Sequence, residues 1–206
     1  MATTQTGRIY RFTCPLGDDK LLFYRLTARE QLGRLFEFHL ELLSEDPNID
    51  LKSLLAQPVC VHVEPPEAEK RYFHGMVSHF RMAGTYGSFA KYQAVVRPWL
   101  WFLTRTADCK VFQLQTVPDI VQAVFRDLGF SDFETKLSGT YAKREYCVQY
   151  RETDFDFVSR LMEQEGIYYY FKHVVGKHTL VLSDSIGSHE PAAGYAEVPY
   201  FPPQEH

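Results

Sequence analysis

Arg144–Phe171 reads REYCVQYRETDFDFVSRLMEQEGIYYYF, and three elements follow from it in order. Tyr146 to Arg151 has the aromatic and branched content of a strand. Thr153 then offers a hydroxyl as a helix N-cap. Asp154 and Asp156 follow it in the first turn, where negative charge opposes the helix dipole favourably. Asp156 also stands three residues after the cap, the place for reciprocal capping. The helix predicted over Asp154–Glu165 stops at Gly166. Ile167–Val174 and Lys177–Leu182 are then predicted to pair as a hairpin around Val175-Gly176. A strand, a capped helix and an aromatic hairpin in succession indicate an α+β unit.

Reading upstream, Val117–Leu128 is a second amphipathic helix. Thr116 is its cap, Pro118 and Asp119 suit its first turn, and Gly129 suits the position just past its end. Ile120, Val121, Val124, Phe125 and Leu128 form one apolar stripe. Trp99–Thr106, entered through Pro98, reads as a further helix. Before Pro98 the character changes to nearly pure β. Residues 8–13 and 21–28 read as strands, with Pro15, Gly17, Asp18 and Asp19 turning between them. In Leu35–Leu43, Phe36, Phe38, Leu40 and Leu42 alternate with Glu37, His39 and Glu41, the period of a sheet with one buried face. Asp50 caps a predicted short helix over Leu51–Ala56, and Val59–Glu64 is another strand. Arg71–Met82 and Phe89–Arg97 form a predicted hairpin joined by a loop at residues 83–88. The expected fold class is mixed β and α+β: a β-barrel or roll domain over 1–97, an α+β domain over 98–184, and a proline-rich linker, or the start of a further barrel, over 185–206.

Composition narrows the function. The chain has 206 residues, 45% hydrophobic and 23% charged, enough to bury a core without staples. Its formal net charge is −4, and no basic run exceeds two residues, which argues against nucleic-acid binding. No apolar run approaches the ~20 residues that span a bilayer, so no integral membrane segment is expected. Met1–Gly7 lacks a signal-peptide core. Cys14, Cys60, Cys109 and Cys147 are widely spaced and are read as reduced thiols packed as small hydrophobes. Aromatic residues reach 15%, which suits strands and large packed surfaces.

The search for chemistry finds little. His74 and His79 are five apart, and His173 and His178 flank a turn; neither pair has a metal-ligand spacing. Strand parity puts His74 and His79 on opposite faces. Glu145, Glu152, Asp154, Asp156, Glu163 and Glu165 form an acidic cluster, and a carboxylate pair such as Glu145 and Glu152 is the one enzymatic alternative, a cell-wall hydrolase. Helix capping and a polar helix face account for most of that cluster more simply. No nucleophile elbow and no phosphate-binding glycine loop occurs. No cofactor is expected.

Residues 144–171 resemble the most recognisable block of VgrG proteins and their Rhs-linked relatives. Val96–Leu100, Phe112-Gln113 with Val117–Ile120, Leu137–Tyr141, Glu30–Phe38 and Lys177–Asp184 resemble further segments of that family, so the likeness covers about residues 8–184. The resemblance implies a phage tail hub-like fold and a structural, non-enzymatic component of the type VI secretion spike. It further implies a homotrimer in the full-length protein, seated on the hexameric Hcp tube and helping deliver effector or adaptor proteins. Such a protein is made in the cytoplasm and secreted without a cleaved signal peptide. A second barrel and a needle would lie beyond residue 206. The nearest alternative is a phage or prophage contractile-tail baseplate hub. Within this frame the aromatic strand Tyr168, Tyr169, Tyr170 and Phe171 is the candidate interaction site, because a strand aromatic on both faces should be covered on both.

Overall fold

A computed structural model describes residues 3–67 and 69–189. Most of the proline-rich segment read over 185–206 therefore lies outside the described residues. In chain order the elements are β1 (Tyr10–Thr13), β2 (Leu22–Arg29), β3 (Glu37–Ser44), β4 (Pro58–Val63), β5 (Arg71–Tyr86), β6 (Phe89–Arg97) and a 3-10 helix (Trp99–Arg105). They continue with β7 (Ala107–Phe112), α1 (Val117–Asp127), β8 (Phe133–Lys136), β9 (Cys147–Thr153), α2 (Asp154–Gln164), β10 (Tyr168–Val174), β11 (Lys177–Ser183) and a last 3-10 turn (Ile186–Ser188).

The first six strands form one antiparallel sheet, ordered β1-β4-β5-β6-β3-β2. The alternation of β3 sets which face turns inward. Phe36, Phe38, Leu40 and Leu42 are at most 2% exposed, while Glu37, His39 and Glu41 face out. Around them pack Phe12, Val59, Val61, Val77, Phe80, Tyr92, Ala94 and Val96. Each Val, Leu or Phe among them, fully buried, contributes about 1.5–3 kcal/mol relative to exposure.

This sheet curls until its two edges meet, and one side chain closes the gap. Gln5, 4% exposed, accepts hydrogen bonds at Oε1 from the N–H of Phe12 in β1 and of Phe23 in β2, both at 2.9 Å. Its Nε2 donates to the carbonyls of Phe12 (3.1 Å) and Leu21 (3.3 Å). A primary amide carries one acceptor and two donors, so it imitates a stretch of ladder between strands that have no direct register. The result is a near-closed barrel.

The second core joins the 3-10 helix, α1, α2 and two small sheets: β10-β11-β8, with β8 parallel to β11, and the β7–β9 ribbon. Both helix caps form as the sequence implies. Thr116 Oγ1 accepts from the Asp119 N–H, and Thr153 Oγ1 from that of Asp156. Gly129 (φ 84°) and Gly166 (φ 70°) end the helices in the left-handed conformation.

Several expectations are corrected. Leu51–Ala56 is a run of turns rather than a helix. Asp50 Oδ1 does accept from the Lys52 N–H, but the segment is too short to repay helix nucleation. The loop expected at 83–88 is mostly strand: β5 runs on to Tyr86 through an irregularity between Met82 and Thr85, where Gly84 has φ 101°, leaving Gly87-Ser88 as the turn. Trp99–Thr106 is a 3-10 helix ending at Arg105. Cys109 is exposed rather than packed, because it sits on the outward face of the β7–β9 ribbon; the four thiols are free. A bulge between Val77 and His79 resets the parity of β5, so His74 and His79 share the outer face. The second core covers His74 there and leaves His79 exposed.

Candidate functional site

The two cores meet along a seam of aromatic and imidazole rings. Phe36 of the barrel stacks on Phe38 (centroids 4.4 Å apart) and meets Phe171 of β10 edge-on at 4.9 Å. Phe171 packs against both cores. Beside it lie three histidines from distant parts of the chain. The Trp99 N–H donates to His178 Nε2 at 3.0 Å, and His178 Nδ1 is 2.9 Å from His74 Nδ1. The His74 backbone N–H donates to His173 Nδ1 at 3.2 Å. The neutral tautomers follow from these partners. With Nε2 accepting, His178 carries its proton on Nδ1 and donates it to His74; His74 then carries its own on Nε2, a buried atom without a partner. Burial pushes His74 down to about 4 and His178 down to about 2. His173 Nε2 lies 3.0 Å from Glu30 Oε1, close but poorly aligned for a hydrogen bond. His173, and then Arg71, hold the Glu30 carboxyl below its ordinary range. Sequence spacing paired His74 with His79 and His173 with His178; the fold instead brings His74, His173 and His178 together. Among the described residues no set of three His, Cys, Asp or Glu is arranged to hold a metal.

The four aromatic residues singled out in the sequence divide as alternation requires. Tyr169 (4% exposed) is in the second core and Phe171 reaches both cores. Tyr168 and Tyr170, half-buried on the other face, lie against His189, with the Tyr168 hydroxyl donating to the Ser185 carbonyl. The Gly33 N–H donates to the Tyr169 carbonyl at 2.8 Å, tying β10 to the barrel's Glu30–Phe36 segment. An open cleft of about 880 Å³ lies alongside, between that segment and α2, with Arg34, Leu35, Phe155 and Met162 among its walls.

A second fastening uses Asp184, at the end of β11. Its carboxylate accepts from the N–H groups of Ser138 and Gly139 (2.8 and 2.6 Å) and from the hydroxyls of Ser138 and Tyr141 (3.0 and 2.8 Å). These bonds hold its pKa far below the ordinary carboxylate range, and burial next to that carboxylate raises Tyr141 to about 12. Leu137–Tyr141 and Lys177–Asp184 are thus two halves of one contact.

The acidic cluster is dispersed. Glu152 is gripped by Arg160 through Nε and Nη2 (2.9 and 2.6 Å), which holds its carboxyl below the usual range, the reverse of what a general acid needs. Asp154 is buried and accepts from Gln149 Nε2 at 2.7 Å. Asp156 serves its cap, Glu165 pairs with Arg144, and Glu145 is exposed.

The molecule is thus a barrel closed by an edge contact with an α+β unit docked against it. The family model for the phage tail baseplate hub (GPD) matches residues 29–206. The chain belongs to the phage tail baseplate hub family. This hub is 55% identical over 199 residues to the type VI secretion system spike protein VgrG1a of Pseudomonas aeruginosa, covering 97% of the chain and 31% of that relative. It is also 55% identical to VgrG1c of the same organism, with 98% and 28% covered. It is a hub of the VgrG type, and it spans less than a third of the length of these relatives. Among solved structures, the E. coli c3393 protein superposes with a TM-score of 0.78 at 28% identity, covering 87% of the hub and 50% of that chain. That protein is a component of the type VI secretion system with structural similarity to the T4 tail proteins gp27 and gp5. A tail protein from Neisseria meningitidis MC58 shares the fold alone, with a TM-score of 0.59 at 13% identity and 84% and 49% covered.

Proposed function

We propose that this hub is a non-catalytic, force-bearing part of a type VI secretion spike, linking the hexameric Hcp tube to the puncturing tip. The observation that carries the reading is the 55% identity to VgrG spike proteins across nearly the whole chain. Two architectural features support it: a barrel closed by a buried amide, and a seam where Phe171 serves both cores. Such closely packed layers transmit strain rather than absorb it. The division read from the sequence, 1–97 and 98–184, remains our proposal for the two structural units. The full-length protein acts as a homotrimer and carries effector or adaptor proteins, without a cofactor. It is made in the cytoplasm and leaves without a cleaved signal peptide. The strand Tyr168, Tyr169, Tyr170 and Phe171 is the interaction element, with Phe171 packing the hub's two cores together.

The test is release of tube protein into the medium by cells whose spike carries this hub, against cells lacking that spike. Equal release in both sinks the reading. Light scattering after size exclusion checks the trimer: a mass near three times 24.0 kDa places a trimer contact within these residues, and 24.0 kDa removes it from them. Purified peptidoglycan should not be cleared; clearing that disappears in Glu152→Gln would establish the hydrolase instead.

A further inference from the structure

The seam stores its histidines in one protonation state, by geometry. Each ring has a single lone pair in the plane when neutral. That of His178 (Nε2) is occupied by the Trp99 N–H, that of His74 (Nδ1) by the His178 N–H, and that of His173 (Nδ1) by the His74 backbone N–H. A proton added to His74 or His178 must displace a hydrogen bond. The surroundings decide which rings can tolerate the charge. His173 faces Glu30, itself paired with Arg71. His74 and His178 have no such counterion in contact. Across the sheet His74 faces the neutral thiol of Cys60, while Asp132, whose charge acts on His74, is paired with Lys177 at 2.9 Å. Two of these bonds cross between the barrel and the second unit: the one between His74 and His178 and the one from the His74 backbone to His173.

We propose that the Trp99–His178–His74 relay is an acid-sensitive latch, and that proton uptake at His74 or His178 undocks the α+β unit from the barrel. The sign follows from the direction of the shifts. Both groups bind protons more weakly when docked, so the latch is fully fastened above the ordinary imidazole range, near 6.5, and loosens as pH falls below it. With His74 held at about 4 in the docked state, lowering pH from 7 to 4.5 multiplies the opening equilibrium by roughly 50-fold for that residue alone, and more once His178 is freed.

Amide hydrogen exchange of the whole chain, corrected for the intrinsic pH dependence of exchange, reads the latch directly. Between pH 7 and 4.5 the protection of the His74 and Trp99 amides should fall by at least that factor, while the Leu40 and Leu42 amides inside the barrel keep theirs. His74→Gln retains an acceptor for His178 without titrating, so its loss of protection over the same range should shrink by tenfold or more. Equal pH dependence in wild type and His74→Gln overturns the proposal. If His74→Gln does not fold, the imidazole nitrogen-15 shifts of the wild type decide instead. Neutral tautomers at pH 5.5, with the proton on Nδ1 of His178 and Nε2 of His74, are expected. An imidazolium at either position in the docked chain overturns the latch.

Discussion

Replacing Gln5 by leucine should cost the hub more than its size or position would suggest. Leucine matches the buried volume and loses the amide. Four hydrogen bonds go, and two backbone donors, the N–H groups of Phe12 and Phe23, lose their partner in a buried place. An unsatisfied buried polar group costs ~1–3 kcal/mol. Two donors and two carbonyls would sum higher, but edge strands can part slightly and admit water, which returns some of the loss. About 2–4 kcal/mol is expected, or roughly 5–15 °C in melting temperature for a chain of this length. The assay is urea unfolding followed by both fluorescence and circular dichroism, with hydrogen exchange to locate the damage. The Phe12 and Phe23 amides should lose protection first. A glutamate at the same place is a sharper probe. It keeps the acceptors but turns a carboxylate oxygen toward the Phe12 and Leu21 carbonyls, so it favours its protonated form. A group whose folded pKa is raised stabilises below its unfolded pKa, near 4.3, and loses that stability as pH rises. Gln5→Glu should therefore approach the wild type at pH 4 and fall away at pH 7. A leucine variant within about 0.5 kcal/mol of the wild type, the range of ordinary surface changes, would refute the view that this amide closes the barrel.

Gly75→Ala should destabilise by about 1–3 kcal/mol, because its Cβ would stand 2.6 Å from Val96 Cγ1 and 3.0 Å from both the Arg97 carbonyl and the Phe36 ring; thermal unfolding checks it. Tyr169→Ala should cost about 3–5 kcal/mol, as for loss of any large buried ring, while Tyr170→Ala, on the half-buried face, should cost less than half as much in the same denaturant titration. Asp184→Asn should leave the helices folded and free residues 137–141, seen as new proteolytic nicking there. Because its carboxyl is held below the ordinary range, the wild-type contact is present above pH 4 and weakens as pH falls, so wild type and variant should converge in strong acid.

Features carried by short-range pattern were legible in the sequence. The Phe36–Leu42 alternation, the Thr116 and Thr153 caps and the hairpin at Gly176 each depend on residues within a few positions, and each formed. Features made by chain closure left no such trace. Gln5 meets residues 12, 21 and 23 only because six strands curl, and nothing around Gln5 marks it as special. His74 lies 99 and 104 positions from His173 and His178, and a bulge at Val77/His79 overturned the parity rule that would have placed it. β7 leaves no mark in the sequence because Ala107–Phe112 lies in an exposed ribbon, where only Phe112 is buried and no alternation develops. The acidic cluster around Glu152 reads as helix capping and a polar face in the sequence, and nothing local marks its Arg160 clamp or the buried Gln149–Asp154 pair.

Phe171 has a practical consequence for anyone wishing to cut the hub in two. The natural place for scissors is Pro98, between the last barrel strand and the first turn of the second core. A fragment ending there would leave Phe36 without its edge-on ring and expose Leu35 and Met76, which pack against the other core. The complementary fragment would present Phe171 and His178 to water. Each piece would carry a matching greasy scar, so the two should be poorly soluble apart and recombine when mixed. At neutral pH the seam thus makes two separately wrapped cores depend on each other for cover.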